Sequence, residues 1–276
     1  MAAIPGPESR TFTGRGDVAL RYQIEGAGPL VGLIHGVGAN LESWDEIAHR
    51  LAGQFTVLRA DLRGHGRSGR IAQCSIADFV ADVTDLLDTL GAASTHLVGF
   101  SLGGLIAQHV ALAHPGRVRR LALISSVADR TPEERARVLQ RADILRDSGI
   151  ASVVQAAQDR WFTPAFKAAN PDKVERRLRE LVANDHRSYA AAYRVFAQAD
   201  AGLRVETIAS PTLIMTGEHD QGSTPRMARY LHERIRGSEL HILPDLRHSV
   251  LLERPDLIAR LLLEFLTRTE RPKATG

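Results

Sequence analysis

Short apolar runs recur along the chain, and helical patterns separate most of them. The runs read LVGLIH, FTVLRA, THLVGF, VRRLALISS, PTLIMTG and ELHILP. Helical patterns begin near Leu41, Ser75, Leu102, Thr224 and Arg254. Strands separated by helices of this length require βαβ crossovers, which make the strands parallel and place helices on both faces of the sheet. The sequence therefore predicts an α/β fold with a mostly parallel sheet.

Two further strands precede this alternation. Residues 11–24, TFTGRGDVALRYQI, carry a Gly-Arg-Gly-Asp turn, and apolar residues then alternate through Val18, Leu20, Tyr22 and Ile24. Alternation beside a glycine-containing turn predicts a β-hairpin. Together with the six apolar runs, the hairpin predicts an eight-stranded sheet.

Residues 127–206 interrupt the alternation. They contain about four helical patterns and no clear strand pattern, with prolines at positions 132, 164 and 171. Because the strand pattern resumes at Pro211, we expect this block to be a helical cap inserted into a core of residues 1–126 and 207–276. The last residues, TRTERPKATG, are expected to fray.

Charge and composition exclude several classes of partner. The 35 basic and 32 acidic residues are interspersed and give a formal net charge of +3, which predicts no nucleic-acid surface. No uncharged run approaches the roughly 20 residues of a membrane span. Residues Met1 to Arg10 lack the apolar core of a targeting signal, and Cys74 is the single cysteine. We therefore expect a cytoplasmic protein with no membrane partner.

One serine stands between glycines at a predicted strand-to-helix junction. Gly99-Phe100-Ser101-Leu102-Gly103 matches G-x-S-x-G and follows the run THLVGF. In this context the pattern is typical of a sharp turn that exposes a nucleophilic serine at the end of a strand. The five-residue pattern alone is weak, since a plain tight turn can also produce it.

A serine hydroxyl needs a base and an acid to become nucleophilic. After PTLIMTG comes Glu218-His219-Asp220, and after ELHILP comes a loop that contains His248. The order serine, acid, histidine predicts Asp220 as the orienting acid and His248 as the general base. The neighbours of Asp220 leave that assignment open, and Asp129 is a second acid position that the same geometry could use. His248 could also be an ordinary loop histidine.

The same chemistry needs two N–H donors for the oxyanion. We expect one from the backbone of Leu102, directly after the serine, and the other from Val37 in the turn His35-Gly36-Val37-Gly38. For the His35 side chain we favour a structural role in a strand-ending turn.

A competing motif lies at Gly64-His65-Gly66-Arg67-Ser68-Gly69, which matches the dinucleotide fingerprint G-x-G-x-x-G. That fingerprint should open a helix directly. The next helix is instead predicted to begin at Ser75 with a capping box. We therefore expect no nucleotide cofactor, and the sequence carries no metal-ligand motif.

Five landmarks in order make the chain resemble the α/β-hydrolase superfamily. They are HGVG, DLRGHGRS, GFSLGG, GEHD and RHSVLLERPD, between about Phe12 and Leu266. The resemblance implies an α/β-hydrolase fold, and it explains DLRGHGRS as scaffolding built on its glycines and the Asp61–Arg63 pair. Serine at position 101 separates the chain from the haloalkane dehalogenase branch, whose nucleophile is aspartate.

Within that superfamily the closest resemblance is to 3-oxoadipate enol-lactonases. It rests on ESWD, DRWFTPAF, SYAAAYRVFAQAD and IASPTLIMTGEHD. The resemblance implies a carboxylate-bearing lactone substrate from aromatic-compound catabolism, with Phe100, Arg160 and Trp161 as candidate substrate contacts. Alternatively, Arg160 is a solvated residue and Trp161 packs the cap onto the core. HGVG differs from the Asn-Ser-Leu-Gly turn usual in those lactonases.

The sequence thus predicts a cofactor-independent serine hydrolase that acts on a small ester or lactone. A carbon–carbon bond hydrolase of ring-cleavage products and a slow-turnover ligand-sensing homologue are alternatives. A perhydrolase side activity would use the same serine.

Overall fold

The computed structural model describes residues 8–268. Its strands are β1 Glu8–Gly14, β2 Val18–Glu25, β3 Leu30–Ile34, β4 Thr56–Ala60, β5 Thr95–Phe100, β6 Val118–Ile124, β7 Thr212–Gly217 and β8 Glu239–Leu243. Its helices are α1 Asp45–Leu51, α2 Ile76–Thr89, α3 Leu102–Ala113, α4 Pro132–Ser148, α5 Val154–Trp161, α6 Pro164–Ala169, α7 Pro171–Val182, α8 His186–Gln198, α9 Pro225–Arg234, α10 Val250–Glu253 and α11 Pro255–Leu266. Within the described range no helix is both long and apolar enough to cross a membrane.

All eight strands form one sheet in the order β1-β2-β4-β3-β5-β6-β7-β8. Strand β2 runs antiparallel to both of its neighbours, and the other pairs are parallel. In the hairpin, Gly14 pairs with Val18 across the turn. The predicted eight-stranded, mostly parallel sheet is therefore confirmed.

The N-terminal cap of α2, the helix that follows the glycine-rich residues 64–69, determines where that helix begins. Ser75 Oγ accepts from the Asp78 N–H at 3.4 Å, and Asp78 Oδ2 accepts from the Ser75 N–H at 2.8 Å. This reciprocal capping box satisfies two donors at the start of α2, which begins at Ile76. Residues 64–69 therefore do not open a helix, as a dinucleotide fingerprint would require.

Helices cover both faces of the sheet, as parallel strands require. One apolar cluster buries side chains of α2, α3 and α9, such as Phe79, Leu105 and Leu231. The other buries side chains of α1 and α11 against the opposite face, such as Ile47 and Phe265. The sheet is thus held between two hydrophobic layers, and its strand ends are fixed in position.

Between β6 and β7 the chain forms five α-helices and no strand, in a range that the structure describes throughout. The sequence pattern predicts about four. The extra one is α6, six residues long, which begins at Pro164 after a Thr163 cap and is followed at Pro171 by the next helix. We call these helices the helical insert (residues 127–206). Most of the tail TRTERPKATG lies outside the described residues.

Helix α3 packs unusually close to the backbone of the sheet. A Cβ on Gly103 would lie 2.1 Å from the carbonyl oxygen of Ile34 in β3, and a Cβ on Gly99 would lie 2.2 Å from the carbonyl oxygen of Gly103. Real side chains do not approach backbone this closely. The glycines at these positions let β3, β5 and α3 meet around the intervening residue, Ser101.

Replacing Gly103 with alanine should lower the free energy of unfolding, because the new methyl group must displace α3 or β3 at a cost of about 3 kcal/mol. Alanine's better helix propensity offsets about 1 kcal/mol of this cost, so the expected net loss is about 2 kcal/mol. Chemical denaturation of Gly103→Ala measures the change. Gly116→Ala is the matched control, since a Cβ there meets nothing within 4 Å. Equal stability of the two variants would contradict the close approach.

Candidate active site

Ser101 occupies the bend between β5 and α3. Its backbone has φ 55° and ψ −114°, a conformation that residues with a side chain rarely adopt. The Ser101 N–H donates to the carbonyl of Ile124 in the adjacent strand at 2.9 Å, and its carbonyl accepts from Leu105 at 3.1 Å. Both sides of the bend are thus tied to regular structure, and the serine is fixed at the carboxyl end of β5.

Asp220 and His248 form a hydrogen-bonded pair on the loops after β7 and β8. Asp220 Oδ2 lies 2.7 Å from His248 Nδ1, and the Asp220 side chain is fully buried while that of His248 is 14% exposed. Asp220 Oδ1 accepts from the N–H groups of Gly222 at 2.8 Å and Ser223 at 2.9 Å. The carboxylate is therefore held rigidly, and it favours the imidazole tautomer that carries its proton on Nδ1 and leaves Nε2 basic.

The alternative acids lie elsewhere. Asp129 is exposed and forms an ion pair with Arg226 at 3.1 Å. Glu218 accepts from the Asp245 N–H at 3.2 Å, and together with exposed His219 it points to the surface. Among the described carboxylates, Asp220 is the one bonded to His248.

A cavity of about 510 Å³ brings the predicted residues together. Its lining includes Ser101, Asp220 and His248, and also the candidate contacts Val37, Phe100, Arg160 and Trp161. The Phe100 ring lies 5.1 Å from the His248 ring, centroid to centroid. Leu102, by contrast, has its side chain buried in the core, so that only its backbone N–H can serve the site.

The turn after β3 lies directly against the serine. A Cβ on Gly36 would be 3.1 Å from the Cβ of Ser101 and from Phe100 Cδ1. The Ala39 N–H closes the turn onto the Gly36 carbonyl at 3.2 Å, and Gly38 supplies the required positive φ of 70°. The closing bond does not use the Val37 N–H. The Leu102 N–H, at the first position of α3, has no acceptor within its helix.

The His35 side chain stabilises this turn through hydrogen bonds. Its ring is buried, with Nδ1 2.8 Å from the Gly36 carbonyl and Nε2 accepting from the Leu62 N–H at 3.0 Å. Burial lowers the pKa of His35 to about 4, so the ring is neutral near pH 7. These contacts agree with the structural role predicted for it.

The Asp61 and Arg63 side chains form hydrogen bonds with different partners. Asp61 accepts from the Leu41 and Arg67 N–H groups, each at 2.8 Å, while Arg63 donates to the Asp82 carboxylate at 2.7 and 2.6 Å. Each residue is buried. Both therefore act as scaffold, but through separate partners.

The helical insert contributes four arginines to the cavity lining, and sequence reasoning missed three of them: Arg141, Arg176 and Arg177. Arg177 of α7 lines the cavity with its guanidinium over the Trp161 ring, 4.6 Å from the centroid. A signal for it exists in the sequence, because Val174, Arg177 and Leu181 follow the i, i+3, i+7 spacing of one helix face. A charged residue on the apolar stripe of a helix points to a partner inside the fold.

The insert is also bonded to the loop that carries His248. The Ser249 N–H donates to the Trp161 carbonyl at 3.0 Å. The Thr163 N–H and hydroxyl donate to the Glu253 carboxylate at 3.0 and 2.8 Å. These bonds fix the segment after α5 against the loop that carries His248 and against α10, which follows that loop.

Comparison with known proteins agrees with this architecture. The chain is 31% identical over 242 residues to 3-oxoadipate enol-lactonase 2 of Acinetobacter baylyi, covering 87% of this chain and 90% of that one. It is 30% identical over 244 residues to the pimeloyl-(acyl-carrier protein) methyl ester esterase of Neisseria meningitidis serogroup B, covering 85% and 91%. These two relatives are named for lactone and ester hydrolysis.

A solved structure gives the same result in three dimensions. The enol-lactonase from Burkholderia xenovorans LB400 superposes with a TM-score of 0.87 at 30% identity, covering 94% of this chain and all of that one. Residues 29–255 match the family described as the alpha/beta hydrolase fold. The eight-stranded sheet, the serine at its central bend and this match lead to one conclusion: the chain belongs to the α/β-hydrolase fold family.

Proposed function

We propose that this protein is a cofactor-independent serine hydrolase that cleaves a small ester or lactone through an acyl-enzyme. The observation that carries the proposal is the Asp220–His248 pair, which shares one cavity with Ser101 on its constrained bend. The relatives named as an enol-lactonase and a methyl ester esterase support the same class of bond.

In the proposed mechanism, His248 Nε2 takes the hydroxyl proton of Ser101 as Oγ attacks the carbonyl carbon. The N–H groups of Val37 and Leu102 stabilise the negative charge that develops on the carbonyl oxygen. His248 then gives the proton to the leaving alkoxide, or to the ring oxygen of a lactone. Water, deprotonated by the same imidazole, hydrolyses the acyl-enzyme and regenerates Ser101.

Asp220 orients the imidazole and stabilises its positive charge. It fits this task because, among residues 8–268, its carboxylate has no other cationic partner: its three hydrogen bonds there come from two backbone N–H groups and from His248. The buried carboxylate thus gains a full positive partner when His248 is protonated.

For the substrate we propose a small molecule with a carboxylate that Arg160 binds. The likeness to enol-lactonases favours this, and a guanidinium suits a carboxylate by its paired donors. We further propose that the helical insert acts as a cap that encloses this substrate above the sheet, and that the protein works in the cytoplasm, in agreement with its single cysteine.

Removing the nucleophile tests the proposal. Ser101→Ala should reduce turnover of short esters or lactones by at least about 10⁴-fold, since general base and oxyanion donors are left without a nucleophile. Steady-state assays of hydrolysis measure this, with thermal unfolding to verify the fold. Ser152→Ala, at an exposed serine of the insert, is the matched control and should retain full activity. Substantial turnover by Ser101→Ala would rule out the mechanism.

The identity of the acid is tested by two equivalent substitutions. Asp220→Asn should lower kcat by about 10⁴-fold, because an amide favours the wrong imidazole tautomer and cannot stabilise the imidazolium. Asp129→Asn should leave kcat within about twofold, since Asp129 pairs with surface Arg226. A larger loss of kcat in Asp129→Asn than in Asp220→Asn would instead assign the role of the orienting acid to Asp129.

A further inference from the structure

The described part of the chain satisfies the Arg177 guanidinium only in part. Its guanidinium stacks on Trp161, but its Nη1 atom is closed off from solvent and has no hydrogen-bond partner among residues 8–268. Burial opposes its charge and lowers its pKa, yet an arginine side chain keeps its proton in a protein. A buried N–H donor without an acceptor is unfavourable, and an acceptor supplied by a ligand in the cavity would satisfy it.

This guanidinium lies on the oxyanion side of the cavity. Leu181, one helical turn further along α7, contacts the turn after β3: a Cβ on Gly38 would lie 2.8 Å from Leu181 Cδ1. The charge of Arg177 also acts on His35, the residue directly before that turn. A ligand group bound to Arg177 would therefore lie on the side of the cavity that the turn after β3 borders.

Arg160 lines the same cavity, and its charge acts on Tyr189, as does that of Arg177. The charge of Arg160 interacts with that of Arg141, whose Nη1 donates to the Tyr193 hydroxyl at 3.1 Å. No described carboxylate forms an ion pair with Arg160 or Arg177, and Glu180, the acid nearest to Arg177 on α7, stays beyond 4.0 Å. Four arginines thus line the cavity without an ion-pair partner among residues 8–268: Arg141, Arg160, Arg176 and Arg177.

Four of the five acids that line the cavity are paired with described residues. Glu42 pairs with Arg21 at 2.7 Å, Asp45 with Arg59, and Glu46 with Lys173 at 3.6 Å. Asp220 is bonded to His248.

Glu180 is the one lining acid without an ion pair among residues 8–268, and it faces four lining arginines that lack one as well. The uncompensated charge of the interior is therefore positive, and it favours a ligand that brings more than one negative group.

We propose that Arg177 forms a second anion subsite, so that the cavity selects a dianion: an ester or lactone that carries two carboxylates, one bound by Arg160 and one by Arg177. The reacting bond is the one assigned under the proposed function, on which this inference rests. Trp161 then has a positioning role, because its ring fixes the plane of the Arg177 guanidinium.

Binding of non-reacting acids tests this inference directly. We would titrate the protein calorimetrically, at constant ionic strength, with succinate, glutarate and adipate and with butyrate, pentanoate and hexanoate. Each pair differs by one carboxylate in place of a methyl group. At least one dicarboxylate should bind about tenfold or more tightly than its partner, as expected for a charged hydrogen bond.

Arg177→Met and Arg160→Met should each abolish this preference, because either change removes one of the two guanidinium groups assigned to the carboxylates. Arg179→Met is the matched control: it removes an arginine from the same helix, but one that is exposed and paired with Glu175. That variant should retain the full preference. If Arg177→Met fails to fold, Arg177→Gln, which keeps a donor against Trp161, takes its place with the same expected loss.

Two results would overturn the inference. One is equal binding of every dicarboxylate and its matched monocarboxylate by the unsubstituted protein. The other is an undiminished preference in the Arg177 variant. Since none of the six acids has a scissile bond, either result is independent of whether Ser101 is a nucleophile, and the two proposals can fail separately.

Discussion

The backbone of Ser101 is the constraint on which the site depends. A residue with a side chain held at φ 55° and ψ −114° stores strain of about 1–3 kcal/mol, which the surrounding packing must offset. Here the packing is the close meeting of β3, β5 and α3, which only glycine at positions 99 and 103 allows. The same contact that bends the chain places the turn after β3, residues 35–38, against the serine. The close approach of the β3, β5 and α3 backbones therefore determines both the local fold and the geometry of the candidate site.

The three catalytic candidates can be predicted from the sequence, because each follows its own strand pattern and the order along the chain is characteristic. Each catalytic candidate follows an apolar run, and the carboxyl ends of parallel strands meet at one edge, so the order of the chain is enough to bring Ser101, Asp220 and His248 together. Among the acids, the structure bonds Asp220 to His248 and turns Asp129 toward Arg226. Those pairings depend on loop conformations, which no spacing rule gives.

The sequence alone does not predict which residues of the helical insert line the cavity. The segment VERRLRELV offers several arginines of similar appearance, and only the buried positions of Val174 and Leu181 identify the face that Arg177 shares. Which arginine meets a cavity depends on how α7 packs on the sheet. The hydrogen bonds of Trp161 with Ser249 and of Thr163 with Glu253 then join this insert to the core. We infer a division of roles, in which the sheet carries the chemistry and the insert selects the substrate.

The central claim, that Ser101 is the nucleophile activated by His248, is tested most directly by covalent labelling. A dialkyl aryl phosphate transfers its phosphoryl group to an activated serine oxygen, releases the aryl alcohol and leaves a stable adduct. Intact-mass analysis and peptide mapping should find one adduct, located on Ser101, with loss of hydrolytic activity in proportion to labelling. An adduct at another residue, or complete inactivation with Ser101 unmodified, would contradict the account.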